Sequence, residues 1–347
     1  MLDEIVNALN LRGEEQRALH QKARALTIKN VGANIYLRAL IEFSNICKKD
    51  CYYCGIRSSN KKVSRYQLSF QRTMEIVENI YRAGINSIVI QSGEEQSENF
   101  IKEIESILYA IKDRYADDIR VTLSCGEQSK ECYHRWFLAG AKRYLLRFES
   151  SSEKIYNTIH PNNNNHNFNA RLNSLKDLKD IGYQVGSGFM IGFPGQRIED
   201  IANDLLFLKM LDVDMVGMGP YIEHRDTPLY ARKEELLSPS ERLSLGLNSI
   251  AVLRQLMKDI NIASTTALES LHPQGKILGL KAGANVVMLN FTYSEYEDKY
   301  SLYENKSKAR FASYDSVKRS LEQISIADQS FIIDPKQHGD SLHYKMK

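Results

Sequence analysis

The sequence predicts an α/β protein folded as one complete (β/α)8 barrel. Three observations carry this: repeated short β-branched apolar runs, helical periodicity between them, and a length suited to a single barrel. The chain has 347 residues, 43% of them apolar, enough for one large core without a second one. Eight runs read as strands: Ile35–Phe43, Ser87–Gln91, Ile119–Ser124, Arg143–Phe148, Gln184–Ile191, Met215–Gly219, Ile262–Ala267 and Asn285–Asn290. Strand–helix alternation specifies parallel pairing through helical crossovers, and eight strands close a ring.

Residues 1–34 read as an N-terminal helical extension, with 3–26 helix-forming, Ile5, Leu9, Leu19 and Leu26 inward and Gly13 an interruption. The barrel is expected over 35–290. Within it Ser69 is an N-cap before the periodic Met74, Val77, Ile80 and Tyr81, and Ile198, Ile201, Leu205 and Leu208 mark a later helix. Gly84 and Gly182 sit where helices should stop. Asn162–Asn165 with His166, after Pro161, reads as a solvated connector. From Phe291 the rhythm fades into a tail, 291–347, with one helix at Tyr314–Ile324, which is expected to cap the barrel.

Lys plus Arg number 46 against 43 Asp plus Glu, and the net charge of +3 comes without a basic block. That balance argues against nucleic acid as a partner. No apolar run approaches the roughly 20 residues that span a bilayer, and Met1–Leu11 carries Asp3 and Glu4 rather than a basic leader. Five cysteines, three of them clustered, suit a reducing compartment, so no membrane association and a cytoplasmic location are expected.

Those three, Cys47, Cys51 and Cys54, lie directly after the first strand run, where barrels of this kind collect their chemistry. Three thiolates at this spacing fit an iron–sulfur cluster with one open iron. The alternative is structural zinc, which usually takes four protein ligands; no second Cys-x-x-Cys or His pair is present, although Cys125 or Cys132 could reach in from a distance. Either of the latter reads more simply as an inert buried thiol, and neither is assigned a role.

Cys-x3-Cys-x2-Cys with Tyr53 before the last cysteine resembles the signature of the radical S-adenosylmethionine superfamily. Ser92-Gly93-Glu94 is similar to its Gly-Gly-Glu motif, with Ser92 in place of the first glycine. An ordered series resembles the HydE family of FeFe-hydrogenase maturases: Phe43-Ser44-Asn45, Cys54-Gly55-Ile56-Arg57, Gln91-Ser92-Gly93-Glu94, Tyr144-Leu145-Leu146-Arg147, Gly192-Phe193-Pro194-Gly195-Gln196 and Gly217-Met218-Gly219-Pro220. Asp226-Thr227-Pro228-Leu229, Thr265-Thr266-Ala267 and Gly283-Ala284-Asn285-Val286-Val287-Met288 continue it.

The resemblance implies one 4Fe-4S cluster on Cys47, Cys51 and Cys54, with S-adenosylmethionine on the fourth iron. It implies that Tyr53, Ser92, Gly93, Glu94, Ser124, Glu149, Arg171 and Met190 bind that cofactor. Chemically, Glu149 can accept hydrogen bonds from a ribose or an ammonium, and Arg171 can hold a carboxylate bidentately. Without the resemblance the two would read as a surface ion pair. Arg57, beside the cysteines, can orient their loop. Arg147, Thr265, Thr266, Met288 and Tyr296 are implied to line a substrate cavity.

The implied activity is reductive cleavage of S-adenosylmethionine to a 5'-deoxyadenosyl radical, acting on a small Fe(CO)2(CN)cysteine-type complex during assembly of the hydrogenase di-iron site. The implied partners are that small organometallic molecule, an electron donor such as ferredoxin or flavodoxin, and other hydrogenase maturases, with the protein itself a monomer. An amino-acid mutase resembling methylornithine synthase and, in another class, an iron–sulfur carrier are the alternatives. Two departures stand out: Arg147-Phe148-Glu149-Ser150-Ser151-Ser152 lacks the imidazole HydE proteins often carry after the arginine, and no cysteine follows Cys132 to hold a second cluster.

Overall fold

Eight parallel strands form a closed ring in the computed structural model, which describes residues 1–296, 298–306 and 314–346. They are β1 (Asn34–Ser44), β2 (Ser87–Ser92), β3 (Arg120–Ser124), β4 (Ala141–Leu145), β5 (Gln184–Ser187), β6 (Met215–Val216), β7 (Asn261–Ser264) and β8 (Val286–Asn290). Each pairs with its sequence neighbour, and β8 returns to β1 with Tyr36 opposite Val286 and Leu40 opposite Asn290. This is the expected (β/α)8 architecture, a TIM barrel.

Two strands are shorter than their apolar runs. β5 and β6 bend at Gly188 and Gly217, whose backbones approach so closely that a Cβ on Gly188 would overlap the Gly217 carbonyl. Beyond the bend Met190–Ile191 and Gly219–Pro220 pair again, in parallel. The fourth run is displaced: β4 ends at Leu145, and the chain turns before Glu149, which has φ +65°. The seventh run stops at Ser264 because a helix opens at Thr266.

The helices follow their local signals. Ser69 Oγ accepts from the Arg72 N–H, and the helix Phe70–Arg82 buries Met74, Val77 and Ile80. Gly84 and Gly182 take φ +79° and +102°, the left-handed values that close a helix with little strain only on glycine. At the N-terminus Gly13, at φ +61°, separates helices Leu2–Asn10 and Gly13–Asn30. Ile5 and Leu9 are buried as expected, but in the second helix the buried residues are Ala23, Arg24 and Thr27 rather than Leu19 or Leu26. Gly283 lies against Ala23, and Thr27 Oγ1 donates to the Gly283 carbonyl at 2.9 Å, so only small side chains fit that face.

At the N-terminal ends of the strands Ile332–Ile333 pairs with Asn34–Ile35, and the backbone at His338–Ser341 runs beneath the ring. Arg143 donates to the His338 carbonyl at 2.7 Å, Asn261 to that of Gly339 at 2.8 Å, and Gln184 to Asp340 at 3.0 Å. Parts of the tail read from sequence, Glu297, 307–313 and Lys347, lie outside the described residues.

Candidate functional site

Side chains alternate across a strand, so every second residue near a strand end faces the ring interior. That rule builds the cavity at the C-terminal mouth: Leu40 and Glu42 from β1, Gln91, Ser124, Leu145 and Arg147, Gly217 and Gly219, Ala263 and Thr265, and Met288 line a space of about 310 Å³. Tyr53, Cys54, Glu149 and Met190 border the same space. Of the residues implied to bind cofactor or substrate, it therefore gathers Tyr53, Ser124, Glu149, Met190, Arg147, Thr265, Thr266 and Met288.

Cys47, Cys51 and Cys54 occupy the loop that leaves β1. It is tied to the end of β2 in both directions: the Glu94 N–H points at Cys47 Sγ at 3.3 Å, and the Lys48 N–H donates to the Glu94 carbonyl at 2.9 Å. A Cβ at Gly93 would overlap the Ile46 carbonyl, so glycine is required there by close approach. Ser92 keeps a negative φ and donates its hydroxyl to the Gly93 carbonyl at 2.7 Å, so the turn accommodates a side chain where the motif has its first glycine. Gly55 donates to the Leu302 carbonyl at 2.8 Å, and a Cβ there would strike Ser301 and His224. Arg57 Nη1 meets Asp50 Oδ1 at 2.8 Å, so it braces the loop through Asp50.

The donor set fits a cluster and not a single ion. Burial, and then the proximity of Cys54 and Cys47, push the Cys51 thiol well up; burial also raises Cys47, and carries Cys54 to about 12. Such thiols would ionise against a bound cationic metal centre. Among the described residues no three His, Cys, Asp or Glu side chains converge on one metal position. Structural zinc, with sulfur at about 2.3 Å, would need that convergence.

Next to the loop lies a buried group of four charges. Lys49 Nζ is 3.2 Å from Glu94 and 3.0 Å from Glu127, while Arg171 is 2.7 Å from Glu127 and 3.6 Å from Glu94. Gly126, at φ +71°, leaves room for the Glu94 side chain that a Cβ would overlap. Burial raises Glu94, with Glu127 adding to it, against the pull of Arg171 and Lys49. Burial alone would lower Arg171, yet Glu127 and Glu94 hold it well above its ordinary value. Glu149 is bridged by Arg147 at 3.1 Å. The surface Glu149–Arg171 pair that charge alone suggests is thus replaced by two separate pairings, a largely buried one at Arg171 and one at Glu149 whose arginine is partly exposed. Glu94 Oε1 and Glu149 Oε2 touch cations without a well-formed hydrogen bond, which leaves both carboxylates capacity for a donor such as an ammonium or ribose hydroxyl.

Thr266 Oγ1 is 2.7 Å from the Tyr303 hydroxyl, and Lys306 pairs with Glu42; all four line the cavity. Tyr303, Lys306 and Glu42 were not legible as site residues, because the first two lie in the tail without strand rhythm and Glu42 sits inside an apolar run. Tyr296 is not in the lining: its ring lies 4.5 Å from that of Tyr66. Phe148 also points elsewhere, packing on Phe207 at 5.1 Å and Phe189 at 5.8 Å. The missing imidazole is therefore a change in the apolar layer behind the barrel, not beside the cavity.

The Asn162–Asn165 connector is more than a solvated loop. Its asparagines are exposed, but the Asn165 carbonyl accepts from Lys49, and His166 is buried with Nε2 accepting the Asp50 N–H at 2.9 Å. Burial, with Lys49 and Arg171 nearby, lowers His166 to about 4, and burial lowers His160 to about 3, so both are neutral imidazoles at pH 7.

Asp204 supports the turn after Glu149, accepting the Ser151 N–H at 2.6 Å. Burial raises its carboxyl from 3.8 to about 7. The folded chain keeps this proton to higher pH than the unfolded chain, so Asp204 costs nothing below about pH 4 and destabilises increasingly as pH rises towards 7. The cost at pH 8 has an upper bound on the order of 4 kcal/mol. Asp204→Asn keeps an acceptor, so urea denaturation should find it more stable than the parent at pH 8 by about 1–4 kcal/mol, with the gap closing near pH 4. A gap independent of pH would refute this account.

Comparison with known proteins agrees with the geometry. The sequence profile of the radical SAM superfamily matches residues 41–208. The [FeFe] hydrogenase maturase subunit HydE of Thermotoga maritima is 40% identical over 299 residues, 86% of this chain and 82% of that one. The 3-methylornithine synthase of Methanosarcina acetivorans is 25% identical over 330 residues, 93% and 89% of the two chains. Among solved structures, the FeFe-hydrogenase maturase HydG from Carboxydothermus hydrogenoformans superposes with a TM-score of 0.78 at 22% identity, covering 96% of this chain and 75% of that one, a likeness of fold. With three cysteines at a barrel mouth, two buried carboxylates beside them and a near full-length relative at this identity, the chain belongs to the radical SAM superfamily and, within it, to the HydE family: it is an enzyme of a 4Fe-4S cluster and S-adenosylmethionine.

Proposed function

We propose that this enzyme serves the maturation of FeFe-hydrogenase by acting on a small organometallic substrate of the Fe(CO)2(CN)cysteine type. The observation that carries this reading is a cavity whose lining joins Tyr53, Cys54 and Glu149 to Arg147, Thr265, Thr266, Tyr303 and Lys306. The likeness to HydE of Thermotoga maritima supports it.

When bound, the cluster supplies an electron and S-adenosylmethionine a sulfonium whose reductive cleavage yields methionine and a 5'-deoxyadenosyl radical. Cys47, Cys51 and Cys54 would hold the cluster. Glu94 and Glu149 would offer acceptors to an ammonium and a ribose and Arg171 would favour a carboxylate, while Ser92 and Gly93 would bring the backbone close and Tyr53, Ser124 and Met190 line the cavity itself. Arg147 and Lys306, each paired with a carboxylate, and the hydroxyls of Thr265, Thr266 and Tyr303 would supply hydrogen-bond donors to the polar ligands of the substrate. Leu40, Leu145, Ile222, Ala263 and Met288 supply apolar wall that limits water near the reacting atoms. A ferredoxin or flavodoxin would deliver the electron.

The test is a defined hydrogenase-maturation mixture in which this protein replaces the HydE component. Hydrogenase activation dependent on the protein and on S-adenosylmethionine is the expected result. If S-adenosylmethionine is cleaved but hydrogenase stays inactive, the maturation role is wrong, and the amino-acid mutase reading suggested by the 3-methylornithine synthase relative takes its place.

A further inference from the structure

The loop carrying the cysteines has no helix or strand between Cys47 and Cys54, so its shape must be imposed from outside. The segment Tyr156–His166 does so residue by residue. The Asn165 carbonyl takes the Lys49 ammonium, His166 Nε2 takes the Asp50 N–H at 2.9 Å, the Ile159 carbonyl takes the Tyr52 N–H at 3.0 Å, and His160 Nε2 takes the Tyr53 hydroxyl at 3.3 Å. Of the five residues from Lys49 to Tyr53, only Cys51 is left out of this set.

Both imidazoles are set up as acceptors. His160 donates Nδ1–H to the Tyr156 carbonyl at 2.9 Å, and His166 donates Nδ1–H to Asn163 Oδ1 at 2.8 Å, so in each ring Nε2 is the acceptor. Packing fixes the rings: His160 stacks on Tyr156 at 3.9 Å between centroids, and the two imidazoles lie 5.6 Å apart. They are 1% and 4% exposed, which leaves little room for another rotamer.

We propose that His160 and His166 are positioning residues of the cluster site, gripping the loop on either side of Cys51 and holding it in its ligating shape. A loop without regular structure loses conformational entropy on ordering. Acceptors that fix Asp50 and Tyr53 supply the opposing constraint before any iron arrives. The inference rests on the cysteines holding the cluster and not on the identity of the substrate.

His166→Ala removes the acceptor, whereas His166→Asn offers another. Hydrogen exchange of residues 48–53, read by mass spectrometry on the full chain before reconstitution, should rise about ten-fold in His166→Ala and recover in part in His166→Asn. After anaerobic reconstitution with iron and sulfide, His166→Ala should bind less than half the iron of the parent, and its reduced cluster should show an altered electron paramagnetic resonance signal. Parental exchange and signal in His166→Ala, or exchange raised equally over the whole barrel, would overturn the proposal. Should His166→Ala fail to fold, Tyr53→Phe removes the hydroxyl donated to His160 and is read in the same exchange measurement, with parental protection of 48–53 counting against the proposal. Cleavage of S-adenosylmethionine by the unaltered protein tests the enzyme reading separately.

Discussion

Replacing Cys51 by alanine should abolish both the brown iron–sulfur chromophore and the cleavage of S-adenosylmethionine. Two thiolates cannot hold a cubane while keeping one iron open, and among the described residues no His, Asp or Glu converges with the other two as a substitute ligand. Cys51 is also the most enclosed in charge terms, its thiol raised by burial and then by both neighbouring cysteines, so its loss removes the centre of the set. Cys125→Ala is the control. Cys125 is fully buried, 3.8 Å from the Ile90 carbonyl, and its variant should keep the chromophore. The measurements are absorbance and iron content after anaerobic reconstitution, and 5'-deoxyadenosine formed under reduction. Cleavage at the parental rate by Cys51→Ala would overturn the ligand assignment.

Arg171→Ala should lose S-adenosylmethionine affinity by more than ten-fold and destabilise the fold by about 3–5 kcal/mol, while the cluster absorbance survives. The guanidinium sits 2.7 Å from Glu127 and 3.6 Å from Glu94, so truncation leaves two buried carboxylates with Lys49 as their remaining cation. Burial already raises Glu94 above its ordinary 4.5, and the loss of Arg171 raises it further. A carboxyl with a raised folded-state pKa binds its proton more tightly folded than unfolded, so the defect grows as pH climbs through that range and shrinks as pH falls towards 4.5. Arg171→Lys should recover stability better than affinity, because an ammonium keeps the charge and loses the planar fork. Urea denaturation at two pH values, with equilibrium binding of S-adenosylmethionine, reads all of this. Unchanged affinity would remove Arg171 from the site.

Much of the site was legible because strand ends and short motifs are local. Cys47, Cys51 and Cys54 declare themselves by spacing, and Ser92-Gly93-Glu94 by following a strand run. Arg147 and Thr265 lie two residues from other lining positions, Leu145 and Ala263, as period-two alternation requires, and Met288 sits mid-strand in β8. Tyr303 and Lys306 could not be found this way. They reach the cavity from a tail whose path depends on Gly55 accepting the backbone at Ser301–Leu302, a close approach that no periodicity records. Tyr296 has the same kind of surroundings in sequence, yet packs at a tilt against Tyr66 instead.

From the sequence alone came the barrel, its eight strands, the helix caps and stops, and the three clustered cysteines at its mouth, since each depends on a residue and its near neighbours along the chain. The tertiary structure alone decided how charge is paired: Glu149 with a partly exposed Arg147, and Arg171 with Glu127 and Glu94 largely away from water. It also turned Phe148 into the apolar layer and folded an asparagine-rich connector over the cysteine loop to bring His160 and His166 against it. The physical reason is that pairing and burial depend on distances between segments far apart in the chain. Those distances are set only when the ring closes and the loops pack across its mouth.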